Sequence, residues 1–294
     1  YPEVFIAVML YAVAILISQA CREEDANRMR WLSLAIAAPM AAVVSSKGIH
    51  MMWGLPFGIG AMAWFELTHQ KPAIRDYLSR PLSVVGIAAG GVTAAMLILG
   101  IFGSGSTLSV IVDAPARFVS AILFSILDVV IIYTLFGMVL WPFIGSAIRG
   151  LREAIDLETA TLAGMIAAFT TAITIYVAAL WTHESLLWNA EWPWMIWKMG
   201  NNGRYISLMI VPIFMLLKRM DDIGMDVPCL ENPREKYKAL MIGIILVMPL
   251  SVLAAVHGQT MWTDDAAEIL DRNMEDSEDF LFIHDATLGM HYLY

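Results

Sequence analysis

The chain has little charge and little cysteine. Charged residues make up 15% of its 294 positions and hydrophobic ones 59%, which excludes a soluble globule with one core, because too little polar side chain exists to cover its surface. The two cysteines, Cys21 and Cys229, fall beside or within segments expected in the cytoplasm, so neither a disulfide nor a thiolate metal framework is implied. The patterns of phosphate loops, serine hydrolases, zinc proteases and dithiol redox centres are missing. Basic residues are scarce near the C-terminus, where a run of acids from Asp264 to Asp285 faces only Arg272. The net charge of −9 repels phosphate and argues against a nucleic-acid partner.

What the chain has instead is apolar segments, about eight of them, over 4–20, 31–46, 49–67, 82–102, 118–147, 158–181, 204–217 and 239–257. Most have the roughly 17 to 25 residues a helix needs to cross hydrocarbon with its backbone groups satisfied internally. The run at 204–217 is short, and 118–147 exceeds one crossing, so its first half suits an interfacial or re-entrant piece carrying Asp128, with Asp113 and Arg117 just before it. The expected fold class is an all-α polytopic membrane protein of about eight transmembrane helices over 1–257, followed by the start of an extracytoplasmic α/β domain over 258–294.

Lys and Arg sort by loop. Arg22, Arg28, Arg30, Lys71, Arg75, Arg80, Arg149, Arg152, Lys218, Arg219, Arg234, Lys236 and Lys238 fall on one parity, which the preference of basic loops for the cytoplasm assigns to that side. The chain is then a multi-pass cell-membrane protein with its first residue and its C-terminal segment extracytoplasmic. Tyr1 leads into an apolar run without the basic flank of a signal peptide and reads as an interior start. After the last span, Thr263 suits a helix cap with Asp264 and Asp265 in the first turn, and that helix is expected to run to about Met274. Phe280–Ile283 reads as a buried strand and 286–294 as a second helix, the opening of an α/β layer cut short. A natural acidic tail is the alternative.

Several positions suit chemistry at the outer face. Lys47 sits in the tight Ser45–His50 turn, where a lipid phosphate or simple snorkelling both satisfy it. Arg204 opens the 204–217 span with a planar fork suited to a phosphate diester; a helix-end snorkel is the alternative. Trp181, Thr182, His183 and Glu184 read as the start of an outer loop that continues through Trp188, Trp192, Trp194 and Trp197. Five of the ten tryptophans gather there, as in an aromatic belt or a platform for a lipid or a sugar ring. His284, Asp285 and His291 match no standard metal spacing. A divalent cation is the one cofactor left open, and no ligand set is found for it.

Ordered stretches carry a family resemblance. Trp31–Ala38 followed by Val43-Val44-Ser45-Ser46-Lys47-Gly48, then Pro56, resembles a span ending in a Thr-Lys-Gly turn before a proline-bearing helix. Tyr133 to Trp141-Pro142 resembles a span ending near a Pro-Trp element, with the order reversed, and Arg204–Pro212 resembles an Arg-Tyr-to-Pro span. Together they resemble the later part of GT-C type integral-membrane glycosyltransferases, in the branch of dolichyl-phosphate-mannose protein mannosyltransferases and aminoarabinose lipid A transferases. Ser46 stands where the family has Thr.

The resemblance implies a lipid-linked sugar donor, a protein, lipid or glycan acceptor, and sugar transfer at the outer face among membrane lipids. On that reading Lys47 and Arg204 are the candidates for phosphate contact, with His183, Glu184, Trp188 and Trp192 as candidates on the acceptor or sugar side. The family's catalytic carboxylate sits in a first outer loop that has no counterpart here, so no catalytic residue is expected in this chain. The base is expected upstream of Tyr1, and the fragment alone is expected to be inactive. A transporter is the rival class, although no internal repeat is visible and the charges cluster at interfaces. A sensor or scaffold with an extracytoplasmic module is another.

Overall fold

The computed structural model describes residues 2–46, 50–78, 80–102, 107–126, 156–187, 208, 210–224, 234, 237, 238, 241, 245 and 262–273. These fall into two compact units, Tyr1–Leu246 and Val247–Tyr294. Every regular element among the described residues is helical. Among the described residues, three helices are long and apolar enough to cross a membrane: α1 (Pro2–Arg22), α6 (Pro81–Phe102) and α9 (Leu157–Leu187). Such helices suggest a membrane protein.

Other apolar runs are broken, and the residues give the reason. The expected span 31–46 is two helices, α2 (Ala26–Ala35) and α3 (Ala37–Ser45), divided at Ile36. Pro39 lies four residues after Ala35; its ring meets the carbonyl one turn back and it brings no N–H, so the helix cannot run through. Asp25 caps α2 by accepting a hydrogen bond from the Asn27 amide at 2.9 Å. The run expected at 49–67 begins as a 3-10 turn, Met51–Gly54, and becomes helical only at α4 (Leu55–Gln70), with Pro56 in its first turn. Gly54 sits so near α3 that an added Cβ would fall 2.4 Å from the Ala41 nitrogen and 2.6 Å from the Ala37 oxygen, and a Cβ on Gly58 would fall 2.7 Å from the Leu34 oxygen. Those obstacles are backbone, which cannot swing aside, so both positions need glycine.

After α5 (Pro72–Leu78) and α6 come a short helix α7 (Val110–Asp113) and α8 (Pro115–Ile126), the described part of the run expected at 118–147. Next are α9 and α10 (Ile210–Asp222), the latter reaching further than the expected 204–217. The core of the first unit joins Ile6, Leu10, Val13 and Ile17 of α1 to Met29 and Met40, Phe65 of α4, Leu162 and Met165 of α9, and Leu216 and Met220 of α10.

Pairwise contacts give the directions. Val84 packs on Ala160 near the starts of α6 and α9, and Met96 joins Ile175 and Ala178 farther along, so these two helices run parallel. Arg22 at the end of α1 and Arg219 near the end of α10 both meet the start of α9, so α1 and α10 run against it. Arg30 of α2 pairs with Glu66 of α4 while Gly54 lies on Ala41, so α4 runs against α2 and α3. Arg22, Arg75 and Arg219 thus gather at one end of the bundle, whereas α3 and α9 run toward the other.

In the second unit α11 (Trp262–Asn273) occupies the stretch expected to be helical, and its Arg272 pairs with Glu268 one turn back. The expected strand Phe280–Ile283 and the helix at 286–294 lie outside the described residues.

Candidate functional site

Chemistry concentrates at the two ends of α9. At its start, Asp156 accepts from the Thr159 amide at 2.9 Å and from the Thr159 hydroxyl, an N-cap that places one carboxylate just ahead of the helix and Glu158 in its first turn. Glu158 is buried, with 3% of its side chain exposed. It receives Arg22 through Nε and Nη2, both at 2.8 Å, and the Ser18 hydroxyl. From α10, Arg219 brings its Nε to 3.0 Å from Asp156 and 3.1 Å from Glu158, and its Nη2 also bonds Asp156.

Two carboxylates and two guanidiniums from three helices therefore form one cluster. Burial alone would raise the Asp156 carboxyl, but hydrogen bonds from Thr159 and from Arg219, with the charge of Arg219, outweigh it and hold the group below its ordinary value. Both Glu158 oxygens are engaged, so the cluster suits holding helices together and not proton transfer to a substrate.

At the other end the helix outruns the expectation. Trp181, Thr182, His183 and Glu184 are not loop but part of α9, which continues to Leu187. The stretch has no glycine or proline to stop it, Trp181 is buried, and the Thr182 and Ser185 hydroxyls turn inward onto the Ala178 and Thr182 carbonyls, each at 2.8 Å. Ser185 also accepts from Nη1 of Arg117, in the first turn of α8, at 3.1 Å. His183 is exposed and Glu184 half-buried on the same turn.

Of the residues singled out in the sequence, His183 and Glu184 stand together here. Lys47, Arg204, Trp188 and Trp192 lie outside the described residues, as do Asp128 and Cys229. Sequence reasoning missed the Asp156–Glu158–Arg22–Arg219 cluster. The available signal was Asp156-Leu157-Glu158-Thr159, an acid three places ahead of a threonine at the start of an apolar run and close to the basic loops. Among the described residues no three of His, Cys, Asp and Glu are grouped to hold a metal ion. No protein-family model matches the sequence, and neither a curated protein nor a solved structure is significantly similar to it.

Proposed function

We propose that this chain is the later membrane portion of an integral-membrane glycosyltransferase that takes a sugar from a polyprenyl-phosphate-linked donor and passes it to a protein, lipid or glycan acceptor. In this reading about eight helices cross the bilayer, the Arg22 end faces the cytoplasm, and 258–294 begins an extracytoplasmic α/β domain. The acceptor oxygen attacks the anomeric carbon as the bond to the lipid phosphate breaks. A carboxylate base takes the acceptor proton, and Lys47 and Arg204 stabilise the departing phosphate. The base is assigned to no residue of this chain.

One structural observation supports the reading alongside the sequence segments that resemble that family. Helix α3, which ends at Ser45, runs to the same end of the bundle as the His183–Glu184 turn of α9. In this reading Lys47, two residues beyond the end of α3, acts at the same membrane face as the acceptor-side residues. The test is sugar transfer by the full-length protein, in membranes, from purified polyprenyl-phosphate-linked sugar. Lys47→Ala and Arg204→Ala should each lower the rate by about 100-fold, the usual cost of removing one preorganised donor to a developing charge. Unchanged transfer in both variants, or thiol labelling that puts positions 47 and 204 on the side of Arg22, overturns the proposal.

A further inference from the structure

Most cations at the Arg22 end of the first unit are already matched. Arg22 and Arg219 meet Glu158 and Asp156, Arg28 pairs with Glu23, Arg30 with Glu66 and Lys218 with Asp222, and Arg75 has a contact of its own. Among the described residues, Lys71 and Arg80 are the two basic side chains with no hydrogen bond or ion pair, and both are exposed. They bracket a single short helix, α5.

The backbone fixes both positions. Lys71 closes α4, and its carbonyl accepts from the Ile74 and Arg75 amides, both at 3.0 Å; the Arg80 carbonyl accepts from Ser83 at 3.0 Å and from Val84 at 3.3 Å. Each stands one place before a proline that opens the next helix, α5 at Pro72 and α6 at Pro81. Ile74 and Leu78 pack with Val84 of α6 and Ala160 of α9, which leaves Arg75, Asp76 and Tyr77 on the outward side of α5. With α6 across a bilayer, its exposed Leu82 meets hydrocarbon, and Arg80 and the amphipathic ring of Tyr77 come to headgroup level. Two acids oppose the cations: Asp76 on the same side, and Glu24, which lines one cavity with Arg75 and His69. Their side chains are short and stay in water, whereas the long stems of Lys71 and Arg80 carry their charges to the phosphates.

We propose that the outward side of α5 docks on anionic phospholipid headgroups, which Lys71 and Arg80 reach from the two ends of the helix. The proposal does not depend on the glycosyltransferase reading. The full chain in detergent is titrated with phosphatidylglycerol and with phosphatidylcholine, each followed by native mass spectrometry. Phosphatidylglycerol should bind about tenfold tighter: two cations near an anionic surface contribute about fivefold each, offset in part by Asp76. Lys71→Gln and Arg80→Gln should each lower that preference about fivefold, and the double variant should erase it. Both side chains are exposed and make no bond, so these substitutions leave folding intact. Glu23→Gln combined with Arg28→Gln removes a matched pair at the same end without changing the net charge, and should leave the preference as it is. Equal affinity for the two lipids, no binding of phosphatidylglycerol, or a preference that survives Lys71→Gln with Arg80→Gln overturns the proposal. So does a loss of preference in the Glu23 and Arg28 variant as large as that in the Lys71 and Arg80 variant.

Discussion

The two ends of α9 solve the problem of polar groups on a largely apolar helix in different ways. At the start, charge answers charge: Asp156 and Glu158 are met by Arg22 and Arg219 from two other helices. At the finish, neutral hydroxyls turn back onto the helix's own carbonyls, and a hydrogen bond from Arg117 of α8 to this turn ends on a hydroxyl. The first arrangement is costly to disturb, because a buried ion that loses its partner keeps its desolvation penalty. The second is cheap, because a serine that loses its partner loses one hydrogen bond. Of the two sets of contacts, the ion cluster at the start of α9 is therefore the costlier to break.

The largest test of this contrast is Glu158→Ala. It leaves Arg22 and Arg219 without their shared acceptor and should lower stability by about 3 kcal/mol, the low end for breaking a buried pair because Arg22 is 56% exposed. Thermal unfolding of the full chain in detergent measures it. A loss no larger than that of an ordinary surface change would mean that α1 and α10 are held by their apolar contacts alone.

A smaller effect, and one that depends on pH, belongs to Asp156. Its carboxyl is held below the ordinary value, so its contribution is complete above the unfolded value near 3.8 and is lost as pH falls through the lower native value. Asp156→Asn should cost about 1.5 kcal/mol near neutral pH, as expected for a hydrogen bond to a charged group. The gap between variant and parent should close below pH 3.8. A gap that stays constant through that range would show that Arg219 stabilises the fold without needing the charge on Asp156.

Much of this arrangement is legible in the sequence, and the remainder fails for identifiable reasons. The helices α1, α6 and α9 are found because a long apolar run without a breaker has few other fates. The division at Ile36 is missed because hydropathy does not register Pro39, whose effect is steric. The continuation of α9 through His183 and Glu184 is missed because polar side chains read as loop, although Thr182 and Ser185 satisfy their hydroxyls on the helix itself. The cluster at Glu158 is invisible for a different reason. Arg22, Glu158 and Arg219 lie far apart in the chain, and only the packing of α1, α9 and α10 brings them together.

The smallest predicted effect probes the hydroxyl contacts at the end of α9. In Ser185→Ala, Arg117 loses the acceptor at 3.1 Å and the Thr182 carbonyl loses one donor, while the helix ladder and the buried Trp181 remain. Arg117 is half-buried and can turn toward water, so the loss should be about 1 kcal/mol, roughly a third of that expected for Glu158→Ala. The two substitutions lie at opposite ends of one helix and share no partner, so their costs should add in the double variant. A Ser185→Ala loss as large as that of Glu158→Ala would show that the Arg117 contact bears as much of the fold as the ion cluster, and the contrast between the two ends would fall.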